Sequence, residues 1–246
     1  MTTTTESRRD RQRAATEAEI KEVARRQLVA SEGAELSLRG IAREMGMTAP
    51  ALYRYFESLE ALTQEMCHGF VHEVAGEIDA RITAAGPDVA TRVHVAIRAF
   101  RDWAVAHPAE FGLIFRSKGP GPVAFAGPEK ATWTDECSHS QSFARIFLDL
   151  FVDLWQEQQP IELPDDEHLP RDVVEQLAAL RQLITIDVPD GAVWVFAHAW
   201  VRLYSVIALE VLGQLEFMFA DVGPYFEAEL HAVAHTLGID YVPREA

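Results

Sequence analysis

The chain has 246 residues, 48% of them hydrophobic and 24% charged, a composition of globular domains that excludes fibrous and low-complexity classes. Two cysteines exclude a disulfide-built scaffold and suit a reducing compartment. The formal net charge is −16, yet residues 1–60 carry ten basic and ten acidic side chains, so the excess acid falls on residues 61–246. An evenly acidic chain would repel nucleic acid; this one sheds its acidity over its first quarter.

Residues 1–16 form a polar stretch in which Arg8, Arg9, Arg11 and Arg13 crowd together. They read as a flexible basic arm able to contact phosphates or a minor groove. No apolar segment follows it, so no secretory leader is expected, and no apolar run approaching the ~18 residues of a membrane helix is expected either. The expected location is the cytoplasm, with no membrane partner. From Glu17 to Glu32, Ile20, Val23, Ala24, Leu28 and Val29 recur at helical spacing, and Gly33 is a stop. Ser37 caps a second helix with Leu38, Ile41, Ala42 and Met45 at i, i+3, i+4 and i+7. Gly46 turns the chain, Thr48 caps a third helix, and Pro50 sits in its first turn. Ser58 caps a fourth helix that reaches about Ala85.

Helices follow from Asp88, from Ala109 to Phe115, from about Cys137 to Gln158, over 171–184, from Pro189 to Leu212, and from Pro224 to Leu237. Residues 116–136 hold Gly119-Pro120-Gly121-Pro122 and Gly127-Pro128 and read as a loop. No hairpin signal joins alternating runs. The expected class is all-α. Its expected parts are the arm over 1–16, a three-helix helix-turn-helix domain over 17–62, and a larger helical domain over 63–246.

Residues 36–62 carry the functional signal. Two short amphipathic helices meet at small Ala42, turn at Gly46-Met47, and leave Thr48, Ala49 and Ala51 on the early face of the second. A helix-turn-helix needs this arrangement, because small outward residues let a helix enter a major groove about 12 Å wide. The register from Gly33 through Leu-Ser-Leu-Arg, Ile-Ala, Met-Gly-Met-Thr and Ala-Leu-Tyr-x-Tyr-Phe to Leu62 resembles the DNA-binding domain of the TetR (tetracycline repressor) family. The resemblance implies a homodimeric transcriptional regulator. It implies a repressor on double-stranded DNA with a near-palindromic operator, released by a small-molecule effector and needing no other cofactor.

The resemblance also implies DNA contacts. Arg39 reaches base or phosphate, Thr48 and Tyr53 reach phosphate, and Ala49, Pro50, Ala51 and Tyr55 face DNA. Arg54 adds a further contact. Where the family commonly carries a phosphate-binding lysine, this chain has Leu59. The arginines Arg9, Arg11 and Arg13 are expected to supply the missing contact.

His107–Phe115 and Ala199–Leu215 resemble one subgroup of the family's C-terminal domains, although Tyr204-Ser205 replaces that subgroup's frequent His-Gly pair. The implied effector pocket has aromatic candidates in Trp103, Phe111, Phe115, Trp133, Phe143, Phe147, Trp155 and Trp200, which suit a fairly large apolar or aromatic ligand. Arg202, in an apolar helix, is a candidate for an anionic ligand group or for pairing with Glu210 or Asp187. The implied dimer face is Trp194, His198, Val201, Ser205, Leu209 and Leu212 on one helix and Phe226, Leu230, Val233 and Leu237 on the next.

The pairs His68/His72 and His231/His235 have helix-face spacing that could hold zinc, but too few ligands are in view for a site. No metal is expected. No Gly-x-Ser-x-Gly, phosphate-loop or dinucleotide motif is present, so no enzyme activity is expected. Two alternatives stay open: a metal- or partner-controlled regulator, and a helical module that has lost specific DNA binding.

Overall fold

A computed structural model describes residues 7–31, 33, 36–116, 138–157, 163, 169, 171–184 and 186–244. Its first helix starts earlier than expected, and the reason is local. The Ser7 side chain accepts from the Asp10 backbone N–H at 3.2 Å, and the Asp10 carboxylate accepts from the Ser7 N–H at 3.2 Å. This capping box satisfies two of the donors a helix start leaves open. α1 therefore runs Arg8–Ala30. The four arginines ride its first turns, so residues from Arg8 onward are helix and not a flexible arm.

α2 (Leu38–Glu44) is capped by Ser37, whose side chain accepts from the Gly40 N–H. The chain then reverses at Gly46, with φ +64°, a conformation that favours glycine. The Met47 N–H returns to the Ala42 carbonyl at 2.8 Å and closes the turn. α3 is one turn long, Ala49–Leu52, and continues into turns through Tyr55. α4 (Leu59–Ala84), α5 (Val89–Ala106), α6 (Pro108–Arg116), α7 (Ser138–Glu157), α8 (Arg171–Arg181), α9 (Asp190–Val211) and α10 (Gly223–Thr236) complete an all-α fold. The expected Gly-Pro loop over 116–136 lies outside the described residues, save for Arg116, which ends α6.

The chain divides into two compact units, Met1–Phe70 with Pro108–Ser117, and Val71–His107 with Lys118–Ala246. The boundary differs from the expected one at residue 62. The first unit takes the start of α4 and all of α6. In it, Ile20, Leu28, Ile41, Leu52 and Leu62 are buried together with Phe111 and Ile114 of α6. The Glu110 carboxylate, 4% exposed, accepts from Arg25 of α1 at 2.8 Å. Arg25 also lies over the Phe70 ring, 5.0 Å from its centre. At the other side of α1, the Glu44 carboxylate accepts from Gln27 at 2.7 Å and from Arg26 at 3.0 Å. Those two hydrogen bonds, Gln27 first, lower its pKa.

In the second unit α5 packs on α7 and α9, and α9 packs on α8 and α10. α9 corrects one expectation. It is 22 residues long with a stretch of mean hydropathy 1.5, long and apolar enough to cross a membrane by those criteria alone. Of that stretch 44% is buried among neighbouring helices, and the opposite face is exposed.

The C-terminal segment after α10 is tied down by α5. Arg98, 8% exposed at its side chain, grips both Glu227 carboxylate oxygens at 2.9 and 2.6 Å and donates to the Val242 carbonyl at 2.7 Å. Burial works to raise the Glu227 pKa, but hydrogen bonds from Arg98 and Tyr241 bring it below its ordinary value. His94 is fully buried beside them. Its Nδ1–H donates to the Ala90 carbonyl at 2.7 Å, and its Nε2 accepts from the Val242 N–H at 3.4 Å. The second bond requires the neutral ring, because protonation of Nε2 removes the acceptor, whereas Nδ1 donates in either form. Burial, with the Arg98 charge adding to it, holds the His94 pKa below its ordinary 6.5, while Ala90, Glu227 and Asp88 pull the other way. The unfolded chain therefore binds this proton first as pH falls, and folding then has to expel it. Stability contributed by neutral His94 is complete above pH 6.5 and is lost as pH falls toward the folded value. Thermal unfolding followed from pH 7.5 to 5 should show a falling midpoint, and His94→Gln should flatten that dependence. Carboxylates such as Glu44 and Glu227 contribute only at lower pH, so the two effects separate.

Candidate functional site

The recognition segment is built from the shortest of the described helices. Thr48 caps α3 without using its side chain for a capping hydrogen bond, so the hydroxyl is not held by the helix it starts. Pro50 is exposed, and Ala49 and Ala51 are half-buried, while Leu52 is fully buried and anchors the segment. Tyr53 is 50% exposed, and Arg39 on α2 and Arg54 are exposed as well. Small or ring side chains at Ala49, Pro50 and Ala51 leave the start of α3 low and apolar. Such a surface can approach base edges and read them by contact, as with a thymine methyl.

Arg13 is not a free arm residue. It pairs with Glu17 at 2.8 Å, donates to the Arg54 carbonyl at 3.3 Å, and lies over the Tyr55 ring at 5.6 Å. It thus connects the beginning of α1 to the end of the recognition segment and orients Tyr55. Arg9 and Arg11 stand exposed on the first turns of α1. Leu59, at the lysine position, is half-buried at the start of α4, and Ser58 caps that helix through the Ala61 N–H at 3.0 Å.

The second unit holds an apolar cavity of about 60 Å3 between α5, α7, α9 and α10. Its walls include Phe100, Phe147, Phe151, Phe196, Trp200 and Tyr204. Of the sequence candidates within the described residues, Phe147 and Trp200 line it. Phe143 is buried one layer away, with its ring 5.1 Å from Phe100. Trp155 packs on Phe151 outside the lining. Trp103 is 1% exposed, donates its indole N–H to Glu73 at 3.1 Å and stacks on His107. Phe111 and Phe115 pack on each other in the first unit. Trp133 lies outside the described residues. Arg202 is not among the residues that line the cavity; it pairs with Glu229 at 2.6 Å, while Glu210 holds Arg101 and Asp187 holds Arg181. Sequence reasoning missed Phe196 and Tyr204, although their spacing from Trp200 and Ile207 marks one face of α9.

The exposed apolar surface of the second unit follows the other face of α9. Val201 is 57%, Leu209 41% and Leu212 48% exposed, and His198 and Ser205 are exposed between them. Trp194 is half-buried and stacks on His198. Just beyond α9, Phe217 stands out further at 82%, and Met218 is exposed beside it. On α10 the expected face is wrong. Phe226, Leu230, Val233 and Leu237 are buried inside the chain itself, so they cannot meet a partner; Ala228, His231, Ala232 and His235 are the outward residues. Among the described residues no group of three His, Cys, Asp or Glu side chains is placed to hold a metal. Glu227, one turn before the second histidine pair, is held by Arg98 and Tyr241, and Glu229 is held by Arg202. Burial pushes the Cys67 thiol up to about 11, so it is not a reactive thiolate.

These features have counterparts in known proteins. The family model of bacterial regulatory proteins of the tetR family matches residues 20–66, and that of the tetracyclin repressor-like C-terminal domain matches residues 93–233. The HTH-type transcriptional regulator Rv1816 of Mycobacterium tuberculosis is 30% identical over 223 residues, spanning 90% of this chain and 92% of that protein. Its counterpart Mb1846 of Mycobacterium bovis matches to the same extent. The crystal structure of the regulatory protein SCO4313 superposes with a TM-score of 0.67 at 28% identity, covering 93% of this chain and 100% of that one. A tetR family transcription regulator from Shewanella sp. PV-4, 17% identical, shares the fold with a TM-score of 0.51 over 88% of this chain and 95% of that one. Two family models in the expected order, over the helix-turn-helix and over the cavity-bearing helices, leave one conclusion: the chain belongs to the TetR family of DNA-binding transcriptional regulators.

Proposed function

We propose that the chain is a repressor: a homodimer that holds a near-palindromic operator and releases it when a small molecule enters the apolar cavity of the second unit. The observation that carries the DNA half is the recognition segment, an exposed and apolar helix start with an unengaged Thr48 hydroxyl beside exposed Tyr53, Arg54 and Arg39. Thr48 and Tyr53 bind phosphate, Ala49, Pro50 and Ala51 read bases, and Arg13 orients Tyr55 against the backbone. The dimer forms through the exposed face of α9, from His198 and Val201 to Leu212. The protein works where its operator lies, in the bacterial cytoplasm.

Release follows from chain connectivity. α4 is one continuous helix whose Leu62, Met66 and Phe70 belong to the first core and whose Val71, Val74 and Ile78 belong to the second. A ligand that prefers one position of α4 shifts the population between two forms of the DNA-binding unit. Near-complete release requires about 10⁴-fold preference between them.

Fluorescence anisotropy on an operator duplex over a range of salt tests the contact assignment. Arg9→Ala and Arg11→Ala should each flatten the log–log salt slope by about 1.8, which is about 0.9 for each of the dimer's two copies. An unchanged slope in both variants would remove the arginines from the phosphate contacts and leave the Leu59 position uncompensated.

A further inference from the structure

The cavity is defined as much by what is kept out of it as by what lines it. Among the described residues that line it none carries a charge, and Trp200 and Tyr204 are the only ones with a polar side-chain atom. The surrounding helices are not poor in charge. On α5, Arg92 pairs with Asp153 of α7 at 2.9 Å, Arg98 with Glu227 of α10 at 2.6 Å, and Arg101 with Glu210 of α9 within hydrogen-bond distance. Arg202 of α9 pairs with Glu229 of α10 at 2.6 Å. Each of these ions has its opposite ion already, on a neighbouring helix. An ionised ligand group entering the cavity would lose its water and find no counter-charge, a transfer that costs several kcal/mol or shifts the group to its neutral form.

The aromatic walls add a shape. Trp200 lies nearly parallel to Phe100, with centroids 6.1 Å apart and planes at 16°, and nearly parallel to Tyr204 at 5.9 Å and 17°. Phe147 and Phe143 meet this row edge-on or tilted. Rows of parallel rings offer faces to a flat apolar molecule. The room is small. About 60 Å3 is well under the roughly 300–1,000 Å3 of drug-sized sites and under the roughly 150 Å3 of a cavity that takes benzene, so one or two rings enter only as the walls move apart, and a large ligand demands still more.

From these observations we infer that the effector is an uncharged, flat compound of one or two rings, and that the cavity rejects its anionic and cationic analogues. The inference rests on the reading of this cavity as the effector site. It narrows the fairly large ligand that the aromatic content of the sequence suggested.

Isothermal titration of the full-length protein at pH 7 with three probes of one skeleton tests it: 2-naphthol, 2-naphthoate and 2-(aminomethyl)naphthalene. The expected result is that neutral 2-naphthol binds at least tenfold more tightly than either ion. Ala199→Leu, which adds carbons to the cavity wall, should weaken 2-naphthol binding at least tenfold. The wild-type comparison stands whether or not that variant folds. Tighter binding of either ion, or no detectable binding of 2-naphthol, overturns the ligand class. Equal 2-naphthol binding by folded Ala199→Leu overturns the location. A separate readout guards the underlying reading. If 2-naphthol binds in the cavity but leaves operator affinity unchanged, the ligand class stands and the effector role of the cavity falls.

Discussion

Pro50→Glu should weaken operator binding at least 100-fold and leave the fold intact. Pro50 is exposed in the first turn of α3, so its ring supports little of the core. A carboxylate near a helix N-terminus is favourable to the helix itself by a few tenths of a kcal/mol to about 1 kcal/mol. Against DNA the same carboxylate meets phosphates and groove acceptors of like sign, on a surface that otherwise presents alanine and proline. A 100-fold loss corresponds to about 2.7 kcal/mol, which is two base contacts' worth of discrimination. Anisotropy at one fixed salt concentration measures the loss, and thermal melting should change by no more than about 0.5 kcal/mol. Pro50→Gln, with the same shape and no charge, should lose much less. A Pro50→Glu protein that binds within threefold of the parent would take α3 out of the groove.

Arg98→Ala should cost about 3–5 kcal/mol of stability, the range for breaking a buried ion pair by removing one partner. Arg98 holds three groups at once: the Glu227 carboxylate, the Val242 carbonyl and the Tyr241 hydroxyl at 3.4 Å. Its loss strands a partly buried carboxylate and frees the segment after α10. Neutralising both partners while keeping volume, as Arg98→Met with Glu227→Gln, should recover more than half of the loss, because no charge is then left unpaired. Urea denaturation of the three chains, read at a common slope, decides the matter. A single variant that costs less than about 1 kcal/mol would show that the clamp is ornamental to stability.

Local chemistry made the first unit legible and distance made the rest hard. Ser37, Gly46, Thr48 and Pro50 act within a few residues of themselves, so the helix-turn-helix could be read directly from spacing. The start of α1 was legible too, had Ser7 and Asp10 been read as a capping box, although the acid there is the shorter relative of the usual glutamate. The membership of α6 in the first unit was not legible, because it depends on Arg25 meeting Glu110, 85 residues away. The stripe Phe226, Leu230, Val233 and Leu237 suggests a partner face by its spacing, but an amphipathic period says only that one face is buried, not what buries it. Trp103 shows the same limit. It is large, aromatic and in the right region, yet its indole N–H is bonded to Glu73 and its ring covers His107.

The measurement that bears most directly on the account is selection of random DNA duplexes by the full-length protein near physiological salt, followed by sequencing. Enrichment of one inverted repeat is expected, its half-sites one helical turn or a multiple apart, with thymine favoured where Ala49 and Ala51 approach the groove. A folded dimer that enriches no sequence, with or without 2-naphthol, would contradict it.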